Sequence, residues 1–363
     1  MSCNNIIRDV DKPSYHNRGE DKMMVRLVVV IPAYNERDMI GRVVRGVPRE
    51  AGGVDEVKVL VVDDGSTDGT AEVALEAGAD VVVRHHRNMG LGVAFRTGVR
   101  KALELGADVI VTIDGDGQFD PGEIPKLVKP IVAGEADVVV GSRFLGGSPR
   151  MPFVKRIGNR VVTSLVNFLV GSRFTDTQCG FRAYSREAAL RLNVHSSFTY
   201  TQEAFIDLVS KGLRIVEVPV TVRYYKGRKS RVVRSSLLYG VRVLAIAALA
   251  SKEVRPLFFY GALALGFLVS GGVLGSVLFV RWMFTGMVSP YRSLVNVAQL
   301  LLTTGVMLLA IALIGDSQAR QRRVLDEILY YVRKWELSGN PDRVVYETGF
   351  SSLFRRPDSR DVN

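Results

Sequence analysis

The chain has 363 residues, of which 47% are hydrophobic and 23% are charged, and a chain this apolar is not intrinsically disordered. Its 48 Lys and Arg against 37 Asp and Glu give a net charge of +11, which attracts nucleotides, nucleic acid or an anionic membrane surface. With two cysteines and no Cys/His cluster of zinc spacing, the sequence excludes a disulfide framework and a zinc finger.

Short runs rich in Val and Ile alternate with helical patterns in the first part of the chain. This alternation predicts an α/β fold in which a mainly parallel sheet is buried on both faces. The predicted strands are Val25 to Ile31, Val57 to Val62, Asp80 to Val83, Val109 to Ile113 and Asp137 to Val140. The predicted helices between them include Arg37 to Val47, Thr70 to Ala77 and Leu91 to Leu105. Ligands of such sheets bind at the carboxyl ends of the strands.

Polar motifs follow three of these strands. The first strand ends in Pro-Ala-Tyr-Asn-Glu, and the second in Asp63-Asp64-Gly-Ser, whose adjacent carboxylates repel each other and therefore favour contact with a ligand. The fourth ends in Asp114-Gly-Asp116-Gly-Gln118, where extended geometry puts both carboxylates on one side. Two carboxylates and an amide predict an all-oxygen site for Mg²⁺ or Mn²⁺, shared with a diphosphate.

Together with Asn88-Met-Gly-Leu-Gly and Asp176-Thr-Gln-Cys-Gly-Phe-Arg, these motifs resemble the family 2 glycosyltransferases. Over about residues 24 to 231, the chain is similar within that family to the dolichyl- or polyprenyl-phosphate mannose and glucose synthases. The resemblance implies a GT-A fold, a nucleotide sugar donor (GDP-mannose or UDP-glucose), Mg²⁺ or Mn²⁺, and a polyprenyl or dolichyl phosphate acceptor. It also implies transfer of a single hexose with inversion.

The resemblance assigns roles to individual residues. The nucleotide would be bound by Pro32, Tyr34, Glu36, Asp63, Asp64, Asn88, Gly90 and Asp114. The metal would be held by Asp114, Asp116 and Gln118. The catalytic residues would be Asp116, Asp176 and Arg143, with Asp176 as a base or a sugar-orienting carboxylate. Apart from the resemblance, Gln202 and Glu203 precede an apolar helical run and could touch sugar hydroxyls. By the resemblance, Arg143 would lie near the acceptor phosphate. Arg156, at helical spacing, could extend that phosphate site, and so could Lys229 and Arg231 of the basic cluster before the membrane, where the chain departs from the family's Arg-x-Gly-x-Ser-Lys pattern.

Each of these roles has a plainer alternative. Asp176 could open a structural turn, and Arg143 could belong to a surface ion pair. Gln202 and Glu203 could cap a helix. The basic cluster around Lys229 could attract anionic lipid without binding a particular phosphate.

Two uncharged runs, of 25 residues (256–280) and 21 residues (294–314), are each long enough to cross a membrane. Their outer flanks carry more Arg and Lys than the loop between them, which predicts a cytoplasmic catalytic domain and cytoplasmic termini. The predicted division is a tail (1–22), a GT-A domain (23–232), an interfacial amphipathic helix (233–254), the two spans (255–316), a C-terminal amphipathic helix (317–340) and a tail (341–363). The C-terminal helix could lie on the membrane or pack on a neighbouring protomer, so a homo-oligomer is possible.

Other functions are less consistent with the sequence. The turn after the first strand lacks Gly-x-Gly-x-x-Gly, and no P-loop motif is present, which disfavours a dehydrogenase and a P-loop NTPase. No nucleic-acid-binding motif accompanies the positive charge, so no nucleic-acid partner is expected. A family 2 transferase with another lipid or glycan acceptor, and a non-catalytic membrane subunit, remain the alternatives.

Overall fold

A computed structural model describes residues 24–145, 151, 153–194, 200–223, 256–287 and 289–337. The predicted tails and the predicted interfacial helix at 233–254 lie outside these residues, as do Lys229 and Arg231.

The described residues form a seven-stranded sheet flanked by helices, in the order β3-β2-β1-β4-β6-β5-β7. The strands are β1 (Arg26–Ala33), β2 (Glu56–Asp63), β3 (Val81–Arg84), β4 (Val109–Thr112), β5 (Val138–Ser142), β6 (Arg182–Ser185) and β7 (Ile215–Pro219). The helices of this domain are α1 (Arg37–Gly46), α2 (Thr70–Glu76), α3 (Leu91–Glu104), α4 (Ile124–Val132), α5 (Phe153–Val170), α6 (Arg186–Arg191) and α7 (Thr201–Ser210). All five predicted strands and all three named helices are present, which confirms the α/β fold.

Two strands, β6 and β7, were not predicted from the sequence. One of them, β6, runs antiparallel between β4 and β5, whereas β7 extends the sheet parallel to β5. Because β6 reverses the chain next to β4, the segment that precedes it, residues 176–181, arrives at the carboxyl end of β4. The missed strand therefore brings the Asp176 motif to the predicted ligand edge.

The core lies on both sides of the central strands. Residues Leu27 to Ile31 of β1 are fully buried. Helix α3 packs closely on this strand because it has a glycine at the contact, and a Cβ added to Gly98 would overlap the side chain of Val30. The small residues predicted for α3 thus allow a close helix–sheet approach, which keeps the strand ends fixed.

Two long helices follow the domain, α8 (Pro256–Thr285) and α9 (Arg292–Leu337). Both are long and apolar enough to cross a membrane, and most of their large apolar side chains are exposed. Small residues let the two helices approach, since a Cβ at Gly305 would lie 2.7 Å from Leu268 Cγ and one at Gly271 would lie 3.0 Å from Leu301 Cβ.

The second predicted span and the described part of the predicted C-terminal amphipathic helix form one continuous helix, α9. Beyond the apolar run, α9 packs on its own catalytic domain: Tyr330 Oη donates to Glu187 Oε2 at 2.9 Å, and Arg333 donates to the carbonyl of Leu192 at 2.8 Å. The membrane surface and a neighbouring protomer were the two surfaces expected for this segment. The structure adds a third, the chain's own α6.

Candidate active site

Three strand ends meet at one edge of the sheet. The carbonyl of Ala33, at the end of β1, accepts a hydrogen bond from the amide of Asp64 at 2.9 Å, and the carbonyl of Pro32 accepts one from the amide of Gly115 at 3.2 Å. The turns after β2 and β4 are therefore both tied to the turn after β1. This contact brings Pro32, Asp63 and Asp114 to one edge of the sheet, as the motifs predicted.

The turn after β1 is fixed by the turn after β2. Asn35 adopts a left-handed backbone conformation, with φ of 53°. Its amide donates to Ser66 Oγ at 2.9 Å, and its side-chain oxygen accepts from the amide of Thr67 at 2.9 Å. The amide of Glu36 donates to Thr70 Oγ1. Tyr34 is held in the same turn with 36% of its surface exposed, so its ring is accessible at this edge.

Asp63 is fully buried at the end of β2. Its Oδ1 accepts a hydrogen bond from the amide of Ser66, and its Oδ2 lies 3.2 Å from Arg84 Nε in an ion pair. Within the described part of the chain, however, no donor makes a hydrogen bond to Oδ2. A buried carboxylate oxygen with no hydrogen bond is suited to accept one from a ligand.

Asp64 has different surroundings from Asp63. Its Oδ1 accepts from His85 Nδ1 at 2.7 Å and from the amide of Met89 at 2.9 Å, and its Oδ2 accepts from the amide of Gly90 at 2.8 Å. His85 also lies 3.0 Å from Thr97 Oγ1 on α3. The sequence predicted that Asp64 contacts a ligand. In the structure its carboxylate accepts hydrogen bonds from the chain's own loop 85–90 and so holds this loop next to the site.

The same loop approaches the backbone at Gly65, where φ is 74° and a Cβ would lie 2.7 Å from the nitrogen of Asn88. Only a residue without a side chain fits this turn. Asn88 and Gly90 are therefore held beside Asp63 and Asp64, and Asn88 is exposed.

The turn after β4 carries the predicted metal ligands. The amide of Gln118 donates to Asp116 Oδ1 at 2.9 Å, which fixes the turn. Burial, followed by the negative charge of Asp116, raises the pKa of Asp114 to about 7, although Arg143 and Arg182 act to lower it. Among the residues that the structure describes, no three His, Cys, Asp or Glu side chains are grouped as a complete metal site.

Asp114 lies against the segment that leads into β6. A Cβ added to Gly180 would be 3.1 Å from Asp114 Oδ2 and 3.2 Å from Tyr200 Oη. Tyr200 is buried, stacks on Phe95 with ring centroids 3.8 Å apart, and donates to the carbonyl of Gly180. Gly180 therefore provides the space in which the Asp114 carboxylate lies.

Arg143 and Asp176 pair with each other. Asp176 is fully buried, and Arg143 donates to both of its oxygens through Nε and Nη2. Asn159 of α5 also donates to Asp176 Oδ1 at 3.3 Å, and Arg156 lies three residues earlier on the same side of that helix. The ion pair considered for Arg143 exists, but it is buried rather than at the surface.

Arg182 is a residue to which the sequence analysis gave no role. It is fully buried, and its guanidinium donates to the carbonyls of Thr177, Cys179 and Thr201 at 2.7 to 2.9 Å. The Arg182 side chain thereby joins the Asp176 motif to the start of α7. The available signal was its position as the last residue of the motif Asp176-Thr-Gln-Cys-Gly-Phe-Arg.

Gln202 and Glu203 lie in the first turn of α7, next to Tyr200. Gln202 is buried, and its Oε1 accepts from Thr201 Oγ1 at 2.9 Å. The structure thus brings the start of α7 to the same edge as Asp114. A role for either side chain toward a sugar remains a prediction.

A family model, "Glycosyl transferase family 2", matches residues 28–192. Glycosyltransferase AglJ of Haloferax volcanii is 31% identical over 292 residues, which cover 79% of this chain and 92% of that protein. The chain belongs to glycosyl transferase family 2. The protein is accordingly a glycosyltransferase, as the motifs predicted.

Other relatives of this family 2 glycosyltransferase have more specific names. A UDP-N-acetylglucosamine–dolichyl-phosphate N-acetylglucosaminyltransferase of Methanococcus voltae is 34% identical, over 54% of this chain and 86% of that protein. The polyprenol monophosphomannose synthase of Mycolicibacterium smegmatis is 36% identical, over 56% of this chain and 81% of that one. The names agree on a prenyl phosphate and differ in the sugar.

Solved structures confirm the fold. The glucosyl-3-phosphoglycerate synthase of Mycobacterium tuberculosis superimposes with a TM-score of 0.50 at 24% sequence identity, covering 65% of this chain and 86% of that one. The mixed, mostly parallel sheet is therefore a GT-A fold, followed here by the two long apolar helices.

Proposed function

We propose that the protein transfers a single hexose, with inversion, from a nucleoside diphosphate sugar to a polyprenyl or dolichyl phosphate. The donor is GDP-mannose or UDP-glucose, and the relatives' names add N-acetylhexosamine donors to those that a test must include. The product is a lipid-linked monosaccharide.

The observation that carries the proposal is that α5 connects the catalytic edge to the first apolar helix. Near its start, Asn159 donates to Asp176, and near its end the ring of Phe168 contacts the ring of Phe258 on α8, with centroids 6.2 Å apart. Nine residues of helix separate these contacts, or about 14 Å. A lipid phosphate at the membrane surface is therefore within reach of the site.

The exposed side of α5 is suited to lie at a membrane surface. Ile157, Val161 and Phe168 share one face of the helix and are 46%, 56% and 66% exposed. Arg156 and Arg160 add positive charge along the same helix, which favours an anionic headgroup or a lipid phosphate. We assign Arg156 to the acceptor phosphate, with Lys229 and Arg231 as further candidates.

The nucleotide fits the edge formed by β1 and β2. Asp63 Oδ2 can accept a hydrogen bond from a base N–H or a ribose hydroxyl, and the exposed ring of Tyr34 can lie against a base. Pro32, Glu36, Asn88 and Gly90 belong to the turns that surround this edge. Asp64 acts through loop 85–90, which it holds in place.

A divalent cation fits the turn after β4. The raised pKa of Asp114 arises from its burial and from the charge of Asp116, and the positive charge of a cation held by these residues would offset both effects. Asp114, Asp116 and the Gln118 amide supply hard oxygen ligands, and the diphosphate would complete the coordination. Bound there, Mg²⁺ or Mn²⁺ would neutralise charge on the departing nucleoside diphosphate.

The chemistry needs little general-base catalysis. A phosphate monoester is already anionic near neutral pH, so its oxygen can attack the anomeric carbon without first losing a proton. This agrees with the engagement of Asp176 by Arg143, Asn159 and backbone amides. Positioning and charge neutralisation then provide most of the acceleration. We assign Asp176 to orienting Arg143 and the sugar-binding edge, beside Gln202 and Glu203.

The test incubates the detergent-solubilised full chain with dolichyl phosphate and a panel of UDP- and GDP-sugars, including UDP-N-acetylglucosamine. Mass spectrometry then detects any glycosylated lipid phosphate formed with Mg²⁺, Mn²⁺ or EDTA. Product from one donor, abolished by EDTA, supports the proposal. Donor turnover without a lipid product would favour another acceptor. We also place the catalytic domain and both termini in the cytoplasm, which protease accessibility in inverted vesicles tests.

A further inference from the structure

Three side chains of α9 attach its C-terminal part to the catalytic domain of the same chain. Asp326, Tyr330 and Arg333 are four and three residues apart and therefore lie on one side of the helix. Their hydrogen-bond partners belong to α6 and the two residues after it, and are Glu187, Leu190, Leu192 and Asn193. We call this set of interactions the distal contact.

Tyr330 is the buried residue of the distal contact. Only 7% of its surface is exposed, against 60% for its neighbour Tyr331. The Arg191 guanidinium lies over the Tyr330 ring, 4.5 Å from the centroid, and Tyr330 Oη donates to Glu187 Oε2 at 2.9 Å. Because both α6 side chains engage this one ring, they determine which side of α9 faces the domain.

Arg333 caps the C-terminal end of α6. The last carbonyls of a helix lack donors within the helix, and a cation is favourable at this end. Arg333 Nη1 donates to the carbonyl of Leu190 at 3.0 Å and to that of Leu192 at 2.8 Å. The distal contact thus satisfies backbone groups that α6 cannot satisfy by itself, which makes it a specific attachment.

A second contact joins the domain to the apolar helices nearer the membrane. The rings of Phe168 on α5 and Phe258 on α8 are 6.2 Å apart, and we call this the proximal contact. The start of α8 lies beside Gly315 of α9, where an added Cβ would be 2.8 Å from Pro256 Cβ. Tyr330 follows Gly315 by 15 residues of continuous helix, or about 22 Å along the axis.

Two contacts this far apart restrict the tilt of the domain. The Asp176 edge lies about 14 Å along α5 from the proximal contact, so a tilt of about 20° about that contact would displace the edge by about 5 Å. Reacting atoms must approach to about 3 to 3.5 Å, so such a displacement would prevent transfer. The distal contact opposes this tilt because α6 directly follows β6, a strand within the rigid sheet.

We propose that Tyr330 and Arg333 position the catalytic edge for the lipid acceptor. By holding α6 on α9, they fix the height and tilt of the site above the membrane, so that the acceptor phosphate reaches the donor sugar. Both act at a distance, since α6 begins at the end of the sheet opposite Asp114. The inference rests on the proposed lipid phosphate acceptor.

An insertion into α9 tests the proposal without removing any contact residue. Seven helix-forming residues (Ala-Glu-Ala-Ala-Lys-Ala-Ala) between Gln321 and Arg322 rotate the distal contact by only about 20° but move it about 10 Å from the membrane. The proximal and distal contacts can then no longer form together. The control is the same insertion after Leu337, at the end of α9 and beyond the distal contact.

The insertion at 321 is expected to raise the KM for dolichyl phosphate at least about tenfold, because the site no longer meets the acceptor. The affinity for UDP or GDP, from calorimetry, should stay within about twofold, since the nucleotide edge is not touched. Equal KM values for the two insertions would overturn the proposal. Loss of nucleotide binding with the insertion at 321 would also overturn it, because the distal contact would then support the fold rather than the position of the site.

A distance measurement tests the attachment without substrate. Nitroxides at Glu76→Cys on α2 and Ser317→Cys on α9, in a Cys3→Ser background with the buried Cys179 retained, report the orientation of the domain by double electron–electron resonance. The unmodified distal contact should give one narrow distance distribution in proteoliposomes.

Tyr330→Ala/Arg333→Ala should broaden that distribution at least about twofold, because the domain can then tilt. Arg323→Ala/Tyr331→Ala, which removes the same two side-chain types from exposed positions of α9, is the control. Equal widths for the two variants would overturn the proposal. If Tyr330→Ala/Arg333→Ala fails to fold, the insertion decides. An unmodified chain that gives a narrow distribution but glycosylates no dolichyl phosphate would instead refute the proposed function.

Discussion

Arg143 and Asp176 form a two-point ion pair, with 2.6 Å between Nε and Oδ2 and 2.9 Å between Nη2 and Oδ1. The pair links the end of β5 to the segment before β6, and Asp176 is fully buried. Asn159 and the amide of Gln178 also donate to Oδ1. A carboxylate with this many donors is better placed to orient its neighbours than to accept a proton from a substrate.

Asp176→Asn should destabilise the fold as well as reduce transfer, because it leaves the Arg143 guanidinium without its charged partner. Removal of one member of a buried pair costs about 3 to 5 kcal/mol, and the lower end applies because Arg143 is partly exposed. Thermal unfolding in detergent measures the loss. The double variant Arg143→Gln/Asp176→Asn should recover part of it. An unchanged melting temperature for Asp176→Asn would argue against the structural role.

Asp116→Asn should reduce kcat/KM for sugar transfer at least about a hundredfold, because it removes one negative ligand of the proposed cation. Asp108→Asn is the matched control: Asp108 lies at the opposite end of β4 and accepts from the amide of Arg26, a bond that the asparagine oxygen can retain. Near-normal activity of Asp116→Asn would refute the metal assignment.

Asp63→Asn should weaken the binding of nucleoside diphosphate about ten- to a hundredfold. An amide nitrogen in place of Oδ2 cannot accept a hydrogen bond, and the ion pair with Arg84 is lost as well. Isothermal titration calorimetry with UDP and GDP measures the change. Glu72→Gln is the control, because it weakens a different, exposed ion pair of Arg84. Equal affinities for Asp63→Asn and the unmodified protein would remove Asp63 from the nucleotide site.

Cation binding should strengthen as pH rises through about 7. The pKa of Asp114 is raised, so below this value the metal-free carboxyl holds a proton that a cation must displace. Affinity for Mn²⁺ in the presence of nucleotide should thus fall by up to about tenfold for each pH unit below 7. Electron paramagnetic resonance of free Mn²⁺ measures it. An affinity that stays constant between pH 5.5 and 8 would contradict the raised pKa.

The raised pKa of Asp114 also affects the stability of the metal-free protein. Because the folded state binds the Asp114 proton more tightly than the unfolded state, this group stabilises the fold most below its unfolded pKa. That contribution is lost as pH rises through the folded pKa of about 7. Added Mg²⁺ should therefore raise the melting temperature more at pH 8 than at pH 6.

Gly180→Ala should impair metal binding without unfolding the protein. The added methyl group would lie 3.1 Å from Asp114 Oδ2 and 3.2 Å from Tyr200 Oη, so one of them must shift by a few tenths of an ångström. Mn²⁺ affinity and transfer should both decrease. Gly52→Ala, where a methyl group meets nothing within 4 Å, is the control. Full activity of Gly180→Ala would show that Asp114 tolerates displacement.

The sequence was sufficient to predict the five parallel strands and the three polar turns. Apolar runs such as Val25 to Ile31 are local signals, and turns at the carboxyl ends of parallel strands must share an edge. It was not sufficient for β6. The four residues Arg182 to Ser185 include a buried arginine and pair with strands about 45 to 75 positions earlier, so no local pattern indicates the strand.

Contacts between residues that are far apart in the chain could not be predicted from the sequence either. Arg143 and Asp176 are 33 positions apart, and nothing local shows that they face each other rather than a ligand. The second uncharged run ends at residue 314, yet no proline lies between Asp316 and Leu337, and α9 continues to Leu337. Packing on α6 stabilises that continuation, and such a tertiary contact has no signature in the sequence.

The central claim is that the acceptor is a lipid phosphate brought to the site from the membrane. The most direct measurement compares dolichyl phosphate, dolichol and a water-soluble phosphate monoester as acceptors, with the donor that the enzyme turns over and Mg²⁺ present. Glycosylated dolichyl phosphate alone is the predicted product. Equal transfer to dolichol, or to the soluble phosphate, would contradict the account.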